Sequence, residues 1–213
     1  VYPYGRAQSN PVREDHPRKP HTFKGRMRKA QEDLLMQAHA DDRIRATVLR
    51  LPDFYGPGVE ASLLHRAALA AVNGGTADMV GPLDRLHEFV FVPDVGPVVA
   101  RLAETPAAFG RIWHLAGAGA TTQRVLVAEM ERQTGRKLQL RVAGKTMLRL
   151  IGLFNPFMRE MVEMNYLITE PLIMDDSALQ RLIGPVRKTP YVEGIRQTLA
   201  AIPQARILAA ATA

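Results

Sequence analysis

The stretch from Arg45 to Gly58, reading RATVLRLPDFYGPG, constrains the fold more than any other part of the chain. Thr47, Val48 and Leu49 favour a pleated, half-buried surface, Pro52 withdraws a ladder donor, and Gly56-Pro57-Gly58 forces a turn before the next helical segment. A strand therefore runs directly into a polar turn. In open α/β sheets ligands gather at the carboxyl ends of strands, which makes Leu51, Pro52 and Asp53 candidates to face a cofactor or substrate. Asp53 reads equally well as a turn residue bonding local amides.

Around this anchor helical and strand patterns alternate. Ala30, Leu34, Leu35 and Ala38 recur at helical spacing as the packed side of a helix over residues 25–40, with Glu32 and Asp33 facing out, and an alanine- and leucine-rich helix over 59–73 stops at Gly74-Gly75. Phe89 and Phe91 share one face of a strand ending at Val92, and Asp94 caps a helix reaching Glu104. A short strand over 111–115 precedes a helix from Thr121 or Thr122 to Thr134, closed by Gly135, and Leu138, Leu140 and Val142 alternate as a strand. Residues 145–168 carry many methionines and are interrupted by Asn155-Pro156, which predicts two helices serving as core or as an adaptable pocket wall. A short strand at 172–175, a helix to Ile183 and a last helix over 191–201 follow, with an alanine-rich tail from Ala205.

With 213 residues and 46% hydrophobic content the chain can build a sizeable core. It has no cysteine, so disulfides and thiolate zinc sites are excluded, and its six histidines are dispersed without the spacing of a metal site. No apolar run approaches the length of a membrane span, and a cytoplasmic, membrane-free protein is expected. The net charge of +7 is concentrated early, with Arg18, Lys19, Lys24, Arg26, Arg28 and Lys29 unaccompanied by acidic residues. Such a run is a solvated face or a rim that steers anions. Nucleic acid would use the same field, but no aromatic interleaving, zinc motif or helix-turn-helix spacing accompanies it, and none is expected as a partner.

The arginine on a strand followed by Tyr55-Gly56-Pro57-Gly58 resembles the sixth strand of the extended short-chain dehydrogenase/reductases, the NAD-dependent epimerase/dehydratase family. Val1-Tyr2-Pro3-Tyr4-Gly5, then Glu14-Asp15 and Pro20, resembles the segment leading to that family's catalytic helix. Phe89-Val90-Phe91-Val92-Pro93-Asp94-Val95 and Arg111-Ile112-Trp113-His114-Leu115 are similar to two later strands, in the same order. The resemblance implies an α/β fold: the C-terminal part of a Rossmann-like, doubly wound parallel sheet with a smaller mixed α/β substrate domain. It also implies NAD or NADP as cofactor, hydride transfer as the chemistry and a small-molecule substrate. The family's Gly-rich unit, which holds the cofactor pyrophosphate, is expected upstream of Val1. These residues alone should therefore bind a dinucleotide weakly, and the sheet should expose an apolar edge, as in a possible homodimer.

The family carries a Tyr-x-x-x-Lys pair on its catalytic helix, where the lysine and the cofactor ribose lower the tyrosine's pKa. Lys29 fits the lysine, which places Gly25 at the tyrosine, and glycine cannot move a proton. Lys29 then binds the ribose or sits on a solvated face, and Tyr4 or Tyr55 is a stand-in acid or a packing residue. Asp53 and Tyr55 border the expected substrate pocket. Nucleotide-sugar epimerases place a diphosphate-clamping arginine where this chain has His87; Arg85 lies two residues earlier. Residues 1–135 are expected to form the partial Rossmann-like domain, 136–205 mainly substrate-binding elements and 206–213 a flexible tail. The expected function is an NAD(P)-dependent epimerase, dehydratase or reductase acting on a sugar or other small carbonyl or hydroxyl compound. The alternative is a non-catalytic NAD(P)-binding or sensor module.

Overall fold

A computed structural model describes residues 1–144 and 162–204. The two helices expected over 145–168 lie mostly outside the described residues, and the tail from Ala205 lies wholly outside them. A 3₁₀ turn at Tyr2–Tyr4 opens the chain, and α1 (Phe23–Ala40) follows a long surface loop. The anchor stretch is not one strand but two, β1 (Val48–Arg50) and β2 (Asp53–Tyr55). Leu51-Pro52 separates them because proline cannot donate to a ladder, and the break lets the chain change neighbours. β1 pairs in parallel with β5 (Ile112–His114), whereas β2 pairs in parallel with β4 (Leu86–Phe91).

Between these strands lie α2 (His65–Asn73), β3 (Thr76–Val80) and α3 (Val92–Glu104). β6 (Ala120–Thr122) adds antiparallel to β4, α4 (Gln123–Thr134) follows, and β7 (Gln139–Ala143) pairs in parallel with β3. A short α5 (Tyr166–Thr169), then α6 (Ser177–Ile183) and α7 (Tyr191–Ala200), complete the described elements. Parallel strand pairs joined through helices give the expected α/β class.

Alternation along β4 divides the interior. Phe89 and Phe91 enter a core with Tyr55, Leu64, Met79, Leu126, Met130 and Ile195, while Val90 faces a second core with Val98, Trp113, Leu115 and Leu179. A large side chain fully buried in such a core contributes roughly 1.5–3 kcal/mol. Helix α7 packs into the same core as α2 and α4, so the end of the chain closes over its middle.

Two expectations are corrected. Asp94 lies inside the first turn of α3 instead of capping it: its carboxylate accepts from the Thr189 amide at 2.7 Å and the Thr189 hydroxyl at 2.8 Å, tying α3 to the segment before α7. On α1 the stripe expected to be buried is open, with Leu34 69% exposed, and Gly25 is the helix's buried residue. Among the described residues the 3₁₀ turn packs on α1 near its start.

Candidate functional site

A cleft of about 600 Å³ opens where α1 faces the break between β1 and β2. Pro52 and Leu51 form its floor with Arg50 and Asp53, Leu63 and Leu167 supply an apolar wall, and Tyr2 enters from the 3₁₀ turn. From α1 the cleft receives Arg28 and Glu32, one helical turn apart. Lys29 lies about 100° further round and does not line it. Its ammonium sits 2.6 Å from Asp33, which also takes Arg18 at 2.7 Å, and these cations, Lys29 first, hold the Asp33 carboxyl below its usual range.

Gly25, read from sequence as the vacated tyrosine seat, has no room for a side chain. A Cβ there would lie 2.8 Å from Thr22 Oγ1 and 2.9 Å from both Pro20 Cβ and the Tyr2 carbonyl oxygen. The glycine is needed so that the 3₁₀ turn can lie against the helix. Relative to Arg28, the position one turn earlier is Lys24, whose Nζ lies 5.8 Å from the centroid of the Tyr2 ring.

Arg50 is 3% exposed and carries the site's main ion pair. Its Nε donates to Glu32 Oε1 at 2.9 Å, a second N–H reaches Glu32 Oε2, and its guanidinium lies 4.3 Å from the centroid of the Tyr4 ring. Burial opposes the charge on Arg50, yet the bonds to Glu32 and the neighbouring Tyr4 keep its pKa above the usual value. Nη1 is a buried donor without a partner among the described residues.

Tyr4 lies outside the cleft. It is fully buried, its hydroxyl meets His114 Nε2, and burial pushes it up to about 12. His114 donates from Nδ1 to the Asp175 carbonyl at 3.1 Å. Burial first and the charge of Arg50 second bring its pKa down to about 4, so the pair is neutral at pH 7.

Asp53 lines the cleft and His87 stands behind it, with Nε2 2.7 Å from Asp53 Oδ2. The parallel register Asp53↔Phe89 creates this pair, because His87 precedes Phe89 by two residues and shares its face. Tyr55 is core: its ring packs against Phe91 and Tyr191, a Cβ on Gly194 would fall 2.2 Å from its hydroxyl, and burial raises its pKa. Arg85 is exposed and does not line the cleft. The structure thus brings Leu51, Pro52 and Asp53 to one cleft, sets His87 behind it, and leaves Lys29, Tyr4, Tyr55 and Arg85 off its lining. Tyr2 and Arg28 went unnoticed in the sequence as cleft residues, and Glu32, expected to face out, turns into the cleft to meet Arg50, although Arg28 and Glu32 stand at the i, i+4 spacing that marks one helical face.

Parallel strand pairs with a cleft beyond the carboxyl end of β1 are the arrangement of a Rossmann-like fold. Residues 1–116 match the NAD dependent epimerase/dehydratase family, and the chain belongs to that family. No curated protein matches the sequence. Among solved structures, UDP-glucuronic acid 4-epimerase from Bacillus cereus, in complex with UDP-glucuronic acid and NAD, superposes with a TM-score of 0.77 at 17% identity, over 94% of this chain and 58% of that one. The dTDP-glucose 4,6-dehydratase of Bacillus anthracis str. Ames, in complex with NAD, gives 0.73 at 12% identity over 94% and 58%. RMD from Pseudomonas aeruginosa, complexed with NADPH, gives 0.74 at 16% identity over 93% and 62%. The likeness is one of fold, and the chain spans about three fifths of the length of these proteins.

Proposed function

We propose that this chain forms part of an NAD(P)-dependent enzyme that moves a hydride between a nicotinamide cofactor and the carbonyl or hydroxyl carbon of a sugar or other small molecule. The observation that carries the reading is the cleft itself, in which the β1–β2 break of the family-matched segment faces Arg28 and Glu32 of α1. Solved relatives bound to NAD or NADPH support the cofactor class.

The residues present fit the nicotinamide end of such a cofactor. The cleft is of ligand size, Leu51 and Pro52 give it apolar lining, and Arg50, which also lines it, has in Nη1 a buried donor without a partner among the described residues. When bound, a nicotinamide supplies or takes up a hydride. Leu63 and Leu167 exclude water from the wall, Arg28 offers a cation, and Asp53, held by His87, accepts a hydrogen bond from a substrate hydroxyl. A cofactor pyrophosphate is held by a Gly-rich loop opening a helix, a motif this sequence does not contain. We extend the proposal to the division of the chain into a Rossmann-like part over 1–135, substrate-binding elements over 136–205 and a tail over 206–213. The exposed Phe23, Met27 and Leu34 of α1 favour further protein packing there, a second copy included. No helix among the described residues is long and apolar enough to cross a membrane.

One observation favours a second reading, a cofactor-binding module without turnover: α1 contains no tyrosine. Fluorescence titration of the full protein with NADH and NADPH, followed by absorbance assays with aldehydes, ketones and sugars, separates the two. Micromolar binding with cofactor oxidation is expected. Binding without turnover favours the module, and absence of binding refutes both.

A further inference from the structure

We propose that Tyr2 is the proton-transferring residue of this cleft, a catalytic phenol supplied by the 3₁₀ turn instead of by helix α1. The inference rests on the hydride-transfer reading above. It starts from the titratable side chains that line the cleft, namely Tyr2, Arg28, Glu32, Arg50 and Asp53. Glu32 and Arg50 are committed to each other, and Asp53 is engaged by His87. An arginine does not give up its proton at ordinary pH. The phenol of Tyr2 remains as the group able to donate a proton to a carbonyl oxygen and take it back.

Its surroundings suit that role. The Tyr2 backbone lies against Gly25, where the missing side chain lets the turn approach α1, and this seats the ring beside two cations of the helix. Lys24 Nζ is 5.8 Å from the ring centroid, and Arg28, one turn later, shares the cleft and favours the phenolate. Burial first and the charge of Asp53 second raise the phenol above its usual value, against the opposing effect of Arg28, so it holds its proton at neutral pH. In the reducing direction a nicotinamide, when bound, would supply the hydride to the carbonyl carbon, and the C=O π electrons would move to oxygen. That oxygen takes the proton from Tyr2 Oη. The carbonyl is thereby reduced by two electrons, which the cofactor would supply, and the phenolate is left beside Lys24 and Arg28 until it is reprotonated from water.

The test uses the full protein with Tyr2→Phe and Tyr2→His. NADPH and NADH titrations should give Tyr2→Phe a dissociation constant within about twofold of wild type, while kcat with a carbonyl substrate falls at least about a hundredfold. Tyr2→His should recover about tenfold of that loss, with its pH profile moved toward neutrality. Independently of turnover, the phenolate absorbance of wild type minus Tyr2→Phe should show one ionisation step that moves to lower pH when NAD⁺, whose ring is cationic, is added. A kcat for Tyr2→Phe within about threefold of wild type, or an ionisation step that ignores NAD⁺, overturns the assignment of Tyr2 while leaving the hydride reading intact. Absence of NAD(P)H binding to wild type overturns both.

Discussion

Arg50 of β1 and Glu32 of α1 form a two-pronged ion pair across the floor of the cleft, with the arginine side chain 2% and the glutamate side chain 13% exposed. The pair joins the strand end to the helix that faces it, so one contact ties both borders of the cleft together. Glu32→Ala would leave a buried guanidinium uncompensated, and a loss of about 3–5 kcal/mol in urea unfolding is expected. Glu32→Gln keeps the shape and should lose less. A change below about 1 kcal/mol for Glu32→Ala would show that the pair is not formed in solution.

Gly25→Ala gives a sharper prediction because helix propensity and packing oppose each other. In an exposed helix the substitution would stabilise by about 1 kcal/mol. Here the added methyl meets the Tyr2 carbonyl, a backbone atom that can yield only by moving the turn. Net destabilisation of about 1–3 kcal/mol is expected in denaturant titrations. Net stabilisation would mean that the turn does not rest on the helix.

The adjacent cations of α1 are predicted to behave differently. Lys29→Ala removes a surface pair with Asp33 and should cost no more than about 0.5 kcal/mol, with NAD(P)H affinity within about twofold of wild type. Arg28→Ala removes a cation from the cleft and should weaken cofactor or substrate binding measurably in the same titration. The reverse ranking would restore the register expected from the sequence.

His114 sets a pH dependence whose sign is fixed by its depressed pKa. The folded state holds the imidazole neutral down to about pH 4, whereas the unfolded chain protonates it near 6.5. Between those values the unfolded state binds more protons, so stability present above pH 6.5 is lost as pH falls toward 4. The full effect is about 3 kcal/mol. Glu88 acts oppositely, since burial raises its pKa and disfavours the fold as the carboxylate forms. The clean measurement is therefore the difference between wild type and His114→Gln in urea unfolding from pH 7 to 4. A difference that does not change with pH contradicts a buried neutral His114.

Local chemistry made much of the fold readable. Thr122 accepts from the Val125 amide and Gly135 closes α4 in the left-handed region at φ 69°, as the sequence pattern implied. The strand end at Arg50 and the turn after it were equally visible, and they place Leu51, Pro52 and Asp53 in the cleft. β3 and β6 were not, because Thr76–Val80 pairs with Gln139–Ala143 and Ala120–Thr122 pairs with the start of β4, and these partners are distant in sequence. The cleft side of α1 was misjudged by one position. Arg28 and Lys29 are both long cations, and only the seating of the 3₁₀ turn on Gly25 tells which of them faces inward. Tyr2 was hidden for the same reason, since its role depends on a contact with a helix 21 residues further along the chain.

Amide hydrogen exchange of the full protein, with and without saturating NADPH, tests the location of the site most directly. Slowed exchange in residues 24–32 of α1 together with residues 50–55 is the predicted result, because both borders of the cleft would close on one ligand. Protection confined to other segments, with these two unchanged while NADPH is bound, would contradict the assignment of this cleft.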